Sequence, residues 1–224
     1  MKRKSRRGVA IIEFGFILLV LIPLFLGATG FGMRLTQAVQ TVQLARDASR
    51  MYARGLDFSQ PGNQTTLAQL GSDVGLKTDG TGNAVVVLTT VTYIDKGMCQ
   101  AAGHSLDAGG NPINCTNYKK WAFTQRLTIG NSSLHGSNLG SPLTTGPNPV
   151  TVNATTGRIS VSDQVDNAGD VATFAQGVPF VDPTTGSWNT MPSGQVLYIT
   201  EAAAKGFVLP PFNSGGTVYA FNIF

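Results

Sequence analysis

Arg6-Arg7-Gly8-Val9-Ala10-Ile11-Ile12-Glu13-Phe14, running into an almost wholly apolar stretch that ends at Phe31, is the segment on which the reading of this chain turns. From Val9 onward the apolar run reaches the roughly 20 residues that an α-helix needs to cross a hydrocarbon core. Glu13 is the exception inside it. An ionised side chain at mid-helix costs about 2.5–3.5 kcal/mol on insertion scales, so an acid within a span is treated as functional by default. A basic leader, a glycine, and a glutamate five positions later require one joint explanation.

The formal charge of +4 belongs to that leader. Lys2, Arg3, Lys4, Arg6 and Arg7 supply five of the sixteen positive charges, and the remaining eleven face twelve negative ones. With no basic patch and interleaved aromatics elsewhere, a nucleic-acid partner is not expected. Positive charge before a span places residues 1–8 in the cytoplasm and exports the C-terminal domain. A secretory signal peptide, with Ala28-Thr29-Gly30 as its cleavage region, is the alternative; the length of the apolar run and the buried acid argue against it.

Beyond Met33 the pattern turns amphipathic. Leu35, Val39, Val42, Ala45, Ser49 and Tyr52 recur at three- and four-residue spacing, and polar residues take the other faces. The apolar side of this extension is expected to pack either on the chain's own C-terminal domain or on helices of other subunits. Arg46, Arg50 and Arg54 complement the dipole of the helix end, and Gly55 is placed to cap it. Pro23 lies within the span as a tolerated membrane proline or as the mark of a locally unwound turn.

Gly8-Val9-Ala10-Ile11-Ile12-Glu13-Phe14 resembles the cleavage region of type IV prepilins, and the run from Gln43 to Arg54 resembles the alanine- and arginine-rich helix end of TadE-like pseudopilins of tight-adherence (Flp) pili. The resemblance covers about the first fifty-five residues. It implies recognition of Arg6, Arg7, Gly8 and Val9 by a prepilin peptidase, with the cut between Gly8 and Val9. It also implies that Glu13, beside Phe14, docks against a neighbouring subunit, where its carboxylate would pair with the ammonium created at Val9 and relieve two desolvation costs. The expected partners are that peptidase, other pilin-like subunits, the inner-membrane assembly platform and the membrane. The expected location is the bacterial inner membrane, with the C-terminal domain periplasmic or carried out on the pilus. No cofactor, metal or enzymatic activity is expected. The rival reading is a membrane-anchored binding module or enzyme whose residues 1–31 are a simple anchor or signal peptide.

The expected fold class is α+β: a leader over residues 1–8, a transmembrane helix over 9–32, an amphipathic extension over 33–55, and a β-rich antiparallel head over 56–224. Low charge and abundant Gly, Ser, Thr and Asn suit an exported β-rich domain. Pro61-Gly62-Asn63 reads as a turn and residues 65–76 as a short helix. The β-branched run 83–94 reads as a central strand. Residues 121–129 read as a second strand in which Trp121, Phe123, Gln125 and Leu127 share one face. Between them Cys99 and Cys115, the only cysteines, are expected to form one disulfide at the base of a long hairpin, worth about 3 kcal/mol in the chain-entropy model. Short strands are expected at 150–152, 158–161, 178–181 and 195–200. Glu201-Ala202-Ala203-Ala204-Lys205 reads as a single helical turn. Residues 217–224 close the sheet as an aromatic strand, with an exposed edge for strand addition as the sharper option.

Catalytic chemistry is not legible. His104 and His135 lack any flanking acid and nucleophile, and one lone imidazole beside two cysteines falls short of a zinc site. Asp163, Asp166 and Asp170 do not have the spacing of an EF-hand loop and read as solvated. The sequons at Asn63, Asn114, Asn131 and Asn153 carry meaning only in a eukaryotic secretory protein.

Overall fold

The computed structural model describes residues 7–174, 195–210 and 215–224, with the backbone alone described for residues 7–11. Its dominant element is α1 (Arg7–Ala53), 47 residues and thus about 70 Å long. The helix runs unbroken through Pro23, with no unwound turn there. It stops in a Schellman arrangement. Gly55, at a φ of +84° that a side chain would resist, donates to the Tyr52 carbonyl, and Leu56 donates to Met51.

The C-terminal part is a four-stranded antiparallel sheet ordered β2-β1-β3-β4, from β1 (Ala84–Tyr93), β2 (Trp121–Gly130), β3 (Val196–Lys205) and β4 (Thr217–Ile223). The expected α+β class is therefore observed, and β1 is central. Helix α1 lies on one face of the sheet. It runs antiparallel to β3, because Gln37 accepts a hydrogen bond from Phe207 N (2.7 Å) just past the end of β3, while Tyr52 packs edge-on against Tyr198 near its start. The contact is made by small residues: Thr41, Ala45, Ala48 and Ser49 on the helix, Thr200, Ala202, Ala204 and Ala220 on the strands, all buried. With no long side chains between them, helix and sheet approach closely. Leu44, Val86, Leu88, Leu127 and Ile129 complete this core.

That packing explains a difference from the sequence reading. Residues 201–205 were expected to form a helical turn, on the strength of alanines between a glutamate and a lysine; instead they continue β3, paired with β1 on one side and β4 on the other. Intrinsic helix propensity is worth only tenths of a kcal/mol per residue. Two strand ladders and a helix that needs alanines beneath it outweigh that preference.

A bulge overturns the expected alternation in β2. Gln125 pairs with Thr90 but Phe123 pairs with Val91, so Thr124 is left over. Gln125 and Leu127 therefore face α1, whereas Trp121 and Phe123 face away and join Val91, Leu197 and Ile199 in a second core on the other face. One extra residue is enough to reverse the side on which a strand's side chains lie. The outer edge of the bulged strand is covered by the chain itself: Arg126 N donates to Gly157 (2.8 Å), Ile159 N to Thr124 (3.0 Å) and Ala172 N to Trp121 (2.8 Å). A Cβ at Gly157 would lie 2.2 Å from the Arg126 carbonyl oxygen, so only glycine permits this approach.

The remaining elements adjust the reading locally. The helix expected over 65–76 begins earlier, as α2 (Pro61–Leu70), because proline is favoured in a first helical turn; a 3₁₀ turn follows at Ser72–Val74. Residues 150–152 and 158–161 contribute an isolated bridge between Val152 and Ile159, not full strands, and Val161 opens α4 (Val161–Asp166), capped by Ser160. The expected strand at 178–181 lies outside the described residues. The Cys99–Cys115 disulfide is present, with Cys99 on the short helix α3 (Lys96–Ala101), and it closes the base of the β1–β2 connection as expected.

The helix–sheet contact sets a prediction. Ala48→Leu should destabilise the full chain in detergent by about 1–3 kcal/mol, since the added side-chain atoms have no space at that interface. Ser49→Ala, which removes a buried hydroxyl with no hydrogen-bond partner among the described residues, should be neutral or stabilising in the same denaturant titration.

Candidate functional site

The residues singled out from sequence fall on α1, and the structure divides them into two groups. Arg6 lies outside the described residues, and Arg7, Gly8 and Val9 are helical in backbone. Glu13 and Phe14 are exposed. Around Glu13 lies a surface of Phe16, Ile17, Val20, Leu21 and Leu24. No described residue bonds to its carboxylate. Residues 12–25 of the helix are exposed, apart from half-buried Leu18; Phe16, Leu19, Val20, Leu24 and Phe25 each expose about two thirds of their surface. Such a length of apolar helix is not stable against water, and it is long and apolar enough to cross a membrane.

Gly30 is the first fully buried residue of the described helix, with Leu209 beside it. From there the amphipathic extension splits. Tyr52 is buried in the chain's own core, and Val42 packs against the same cluster. Leu35 and Val39 instead remain exposed, at 58% and 49%. The apolar stripe read as one face therefore serves two surfaces: its C-terminal end holds the sheet, and its N-terminal end continues the open face that carries Glu13. Thr41, Leu44, Ala45, Ala48 and Ser49 form the buried line, rotated from the one expected.

Tyr52 anchors the distal end of this helix. Its hydroxyl donates to Gln125 Oε1 (2.9 Å) and is also bonded to Thr90 Oγ1, across the bulged pair of strands. Burial pushes the phenol up to about 12, so it remains a donor throughout the physiological range.

Two carboxylates are buried, contrary to the sequence reading, which expected Glu201 in a helical turn and Asp170 in a solvated loop. Glu201, on the face of β3 away from α1, is 1% exposed. It accepts from the Ser137 hydroxyl, from Asn138 N (2.9 Å) and from the Tyr219 hydroxyl (2.6 Å). Arg126, held by Gly140 O (2.8 Å), lies near enough to interact with its charge. Burial, then the bond to Glu201, drives the Tyr219 phenol well above its ordinary range. This carboxylate has its oxygens taken by the loop it pins, so it works as a fastener for residues 137–140. No spacing could have found it, because its partners stand 18 to 64 residues away.

Asp170 differs. It is fully buried, and neither carboxylate oxygen has a hydrogen-bond partner among the described residues. Burial, reinforced by Asp163, pushes its carboxyl up to about 8. Nearby, His104 joins Asp166 (2.9 Å) and Ile113 O (3.1 Å), tying the disulfide loop to α4. The structure thus supplies an acid partner for one histidine that the sequence could not. His135 packs on the Tyr219 ring. Among the described residues no cluster of three or more His, Cys, Asp or Glu side chains could hold a metal ion.

Asp170 generates a pH prediction. The folded head keeps this carboxyl protonated up to about 8, whereas the unfolded chain ionises near 3.8. Stability should be complete below the unfolded value, fall as pH rises through this window, and level off above about 8. Asp170→Asn should flatten that slope and raise stability at pH 8 by about 1–3 kcal/mol, read from denaturation midpoints between pH 4 and 8.5.

The model of the TadE-like protein family matches residues 8–50. The match runs from the glycine before Val9, through Glu13 and the open face, and takes in the whole buried line from Thr41 to Ser49; it ends before the sheet. It agrees with the TadE-like resemblance drawn from the sequence. No curated protein and no solved structure matches the chain.

Proposed function

We propose that this chain is a minor pseudopilin of a tight-adherence pilus system, a structural and assembly component with no catalytic role. The observation that carries this reading is the single acid Glu13 on an open apolar helix face, within a segment that matches the TadE-like family. In this reading a prepilin peptidase recognises Arg6, Arg7 and Gly8 and cuts before Val9. Residues 1–8 are cytoplasmic, as the basic leader favours, and the sheet domain stands in the periplasm. The new ammonium at Val9 and the carboxylate of Glu13 on a neighbouring helix are each costly to leave alone in hydrocarbon. Pairing offsets both costs and sets the axial register between subunits. Leu35 and Val39 extend the same contact above the bilayer, on the side of α1 that the chain's own sheet leaves open. The sheet domain rides on the helix through Gly30, Gln37 and the buried line, so displacement of the helix carries the head with it.

N-terminal sequencing of the protein from membrane and sheared-pilus fractions tests the proposal. The expected mature start is Val9, dependent on the peptidase; a start at Met1 in both strains would make α1 a plain anchor. Glu13→Ala should insert at least as well as the parent, by about 2–3 kcal/mol on the insertion scale, yet lose co-purification with other pilus subunits. Normal co-purification of that variant would remove Glu13 from docking.

A further inference from the structure

The two edges of the sheet are treated differently. The outer edge of β2 is covered by residues 157–159 and 171–172. β4 pairs with β3 alone among the described residues. Its register shows which backbone groups are left. Tyr198 and Phe224 exchange two hydrogen bonds of 2.8 Å, and Gly206 donates to Gly216, so the even-numbered residues of β4 are the ones bonded to β3. In an antiparallel pair such residues alternate with ones whose N–H and C=O point outward. Those of Thr217, Tyr219, Phe221 and Ile223 therefore face away from the sheet as an open ladder.

Exported sheets usually blunt such an edge with a lysine, a proline, a bulge or an inward charge. This one has none. Residues 217–224 contain no charged side chain and no proline, and the pairing to β3 is regular. Phe221 is 55% exposed beside Tyr219, with which it stacks. Two exposed cations lie near the start of β4: Lys205, opposite Thr217 and in no ion pair among the described residues, and Arg34 of α1, beside Gly216. Glu201, opposite Phe221, is buried and already bonded.

A second copy cannot supply the missing strand by antiparallel β4–β4 pairing when both copies share a membrane. That pairing needs a two-fold axis perpendicular to the sheet. Because α1 lies along the strands, such an axis would turn one helix end over end. This exclusion rests on α1 lying in the membrane; the open ladder does not.

We propose that the outer edge of β4 binds an extended segment of a different chain, added antiparallel as a fifth strand. The segment is uncharged and alternates apolar residues along β4, filling in around Phe221, and it carries an acid at its C-terminal end where it passes Lys205. Main-chain bonds provide the affinity, and the Phe221 contact with the Lys205 charge provides the selectivity.

Amide exchange of the full chain in nanodiscs tests this, with the peptide acetyl-Thr-Val-Thr-Val-Thr-Val-Thr-Asp-amide as probe. Without peptide, the amides of Tyr219, Phe221 and Ile223 should exchange fast while those of Ala220 and Asn222 are protected. Peptide at about 1 mM should slow the three odd amides by about tenfold, and a peptide ending in Lys should do so at least several-fold less well. Phe221→Pro removes one outward N–H but no bond to β3; it should abolish peptide protection while Ala220 and Asn222 stay slow. Were that variant to lose the strand, the parent pattern would still decide. Odd amides protected before peptide is added would mean that the chain covers its own edge, and protection rising with protein concentration would mean that a second copy does. Either result, or no protection at saturating peptide, overturns the proposal.

Discussion

The close seat of α1 on the sheet is the contact on which the rest of the molecule depends. Thr41, Ala45, Ala48 and Ser49 meet Thr200, Ala202, Ala204 and Ala220 with little side chain between them. Small residues on both surfaces bring two backbones together, and the larger apolar side chains of β1 and β2 then fill the flanks. The contact has two consequences. It draws the alanine-rich residues 201–205 into a strand, and it consumes only one side of the helix, leaving Leu35 and Val39 open. One element is thereby both the stem of a folded head and a free apolar surface.

The opposite face of the sheet is organised by polarity. Glu201 sits where β3 is covered by residues 137–140, and its bonds to Ser137, Asn138 and Tyr219 fasten an irregular loop to a regular sheet. The Thr124 bulge divides that face from the helix-bearing one by sending Trp121 and Phe123 outward to meet the loops C-terminal to β2. The disulfide and the His104–Asp166 pair then tie the hairpin's excursion to α4. The head is thus a sheet held on one side by close packing and on the other by a few buried polar attachments.

Under the proposed pilus role, this division of labour has a mechanical meaning. The segment with a family match and the segment without one meet inside α1, near residue 50. The matched part carries the open apolar surface, while the unmatched part supplies the sheet. Because the buried line on α1 lies within the matched segment, the head's sheet has to be compatible with a helix whose other side stays open. The alanines of β3 and β4 satisfy that condition.

By itself, the sequence determined the elements whose signal is local and strong. A run of apolar residues after a basic leader makes a long helix wherever it lies, since backbone groups in an apolar setting have no other partners. The β-branched run of β1 makes a strand, and two lone cysteines make one bridge. Glu13 was legible because an acid among some twenty apolar residues stands out without knowledge of the fold. Only the tertiary structure decided what depends on distant partners: that residues 201–205 extend, that β2 bulges, that Glu201 and Asp170 are buried, and which part of the amphipathic stripe is used internally. Helix propensity, alternation and charge are weak local preferences. Each was overridden where a neighbouring strand, a covering loop or a closely seated helix contributed more than the preference cost.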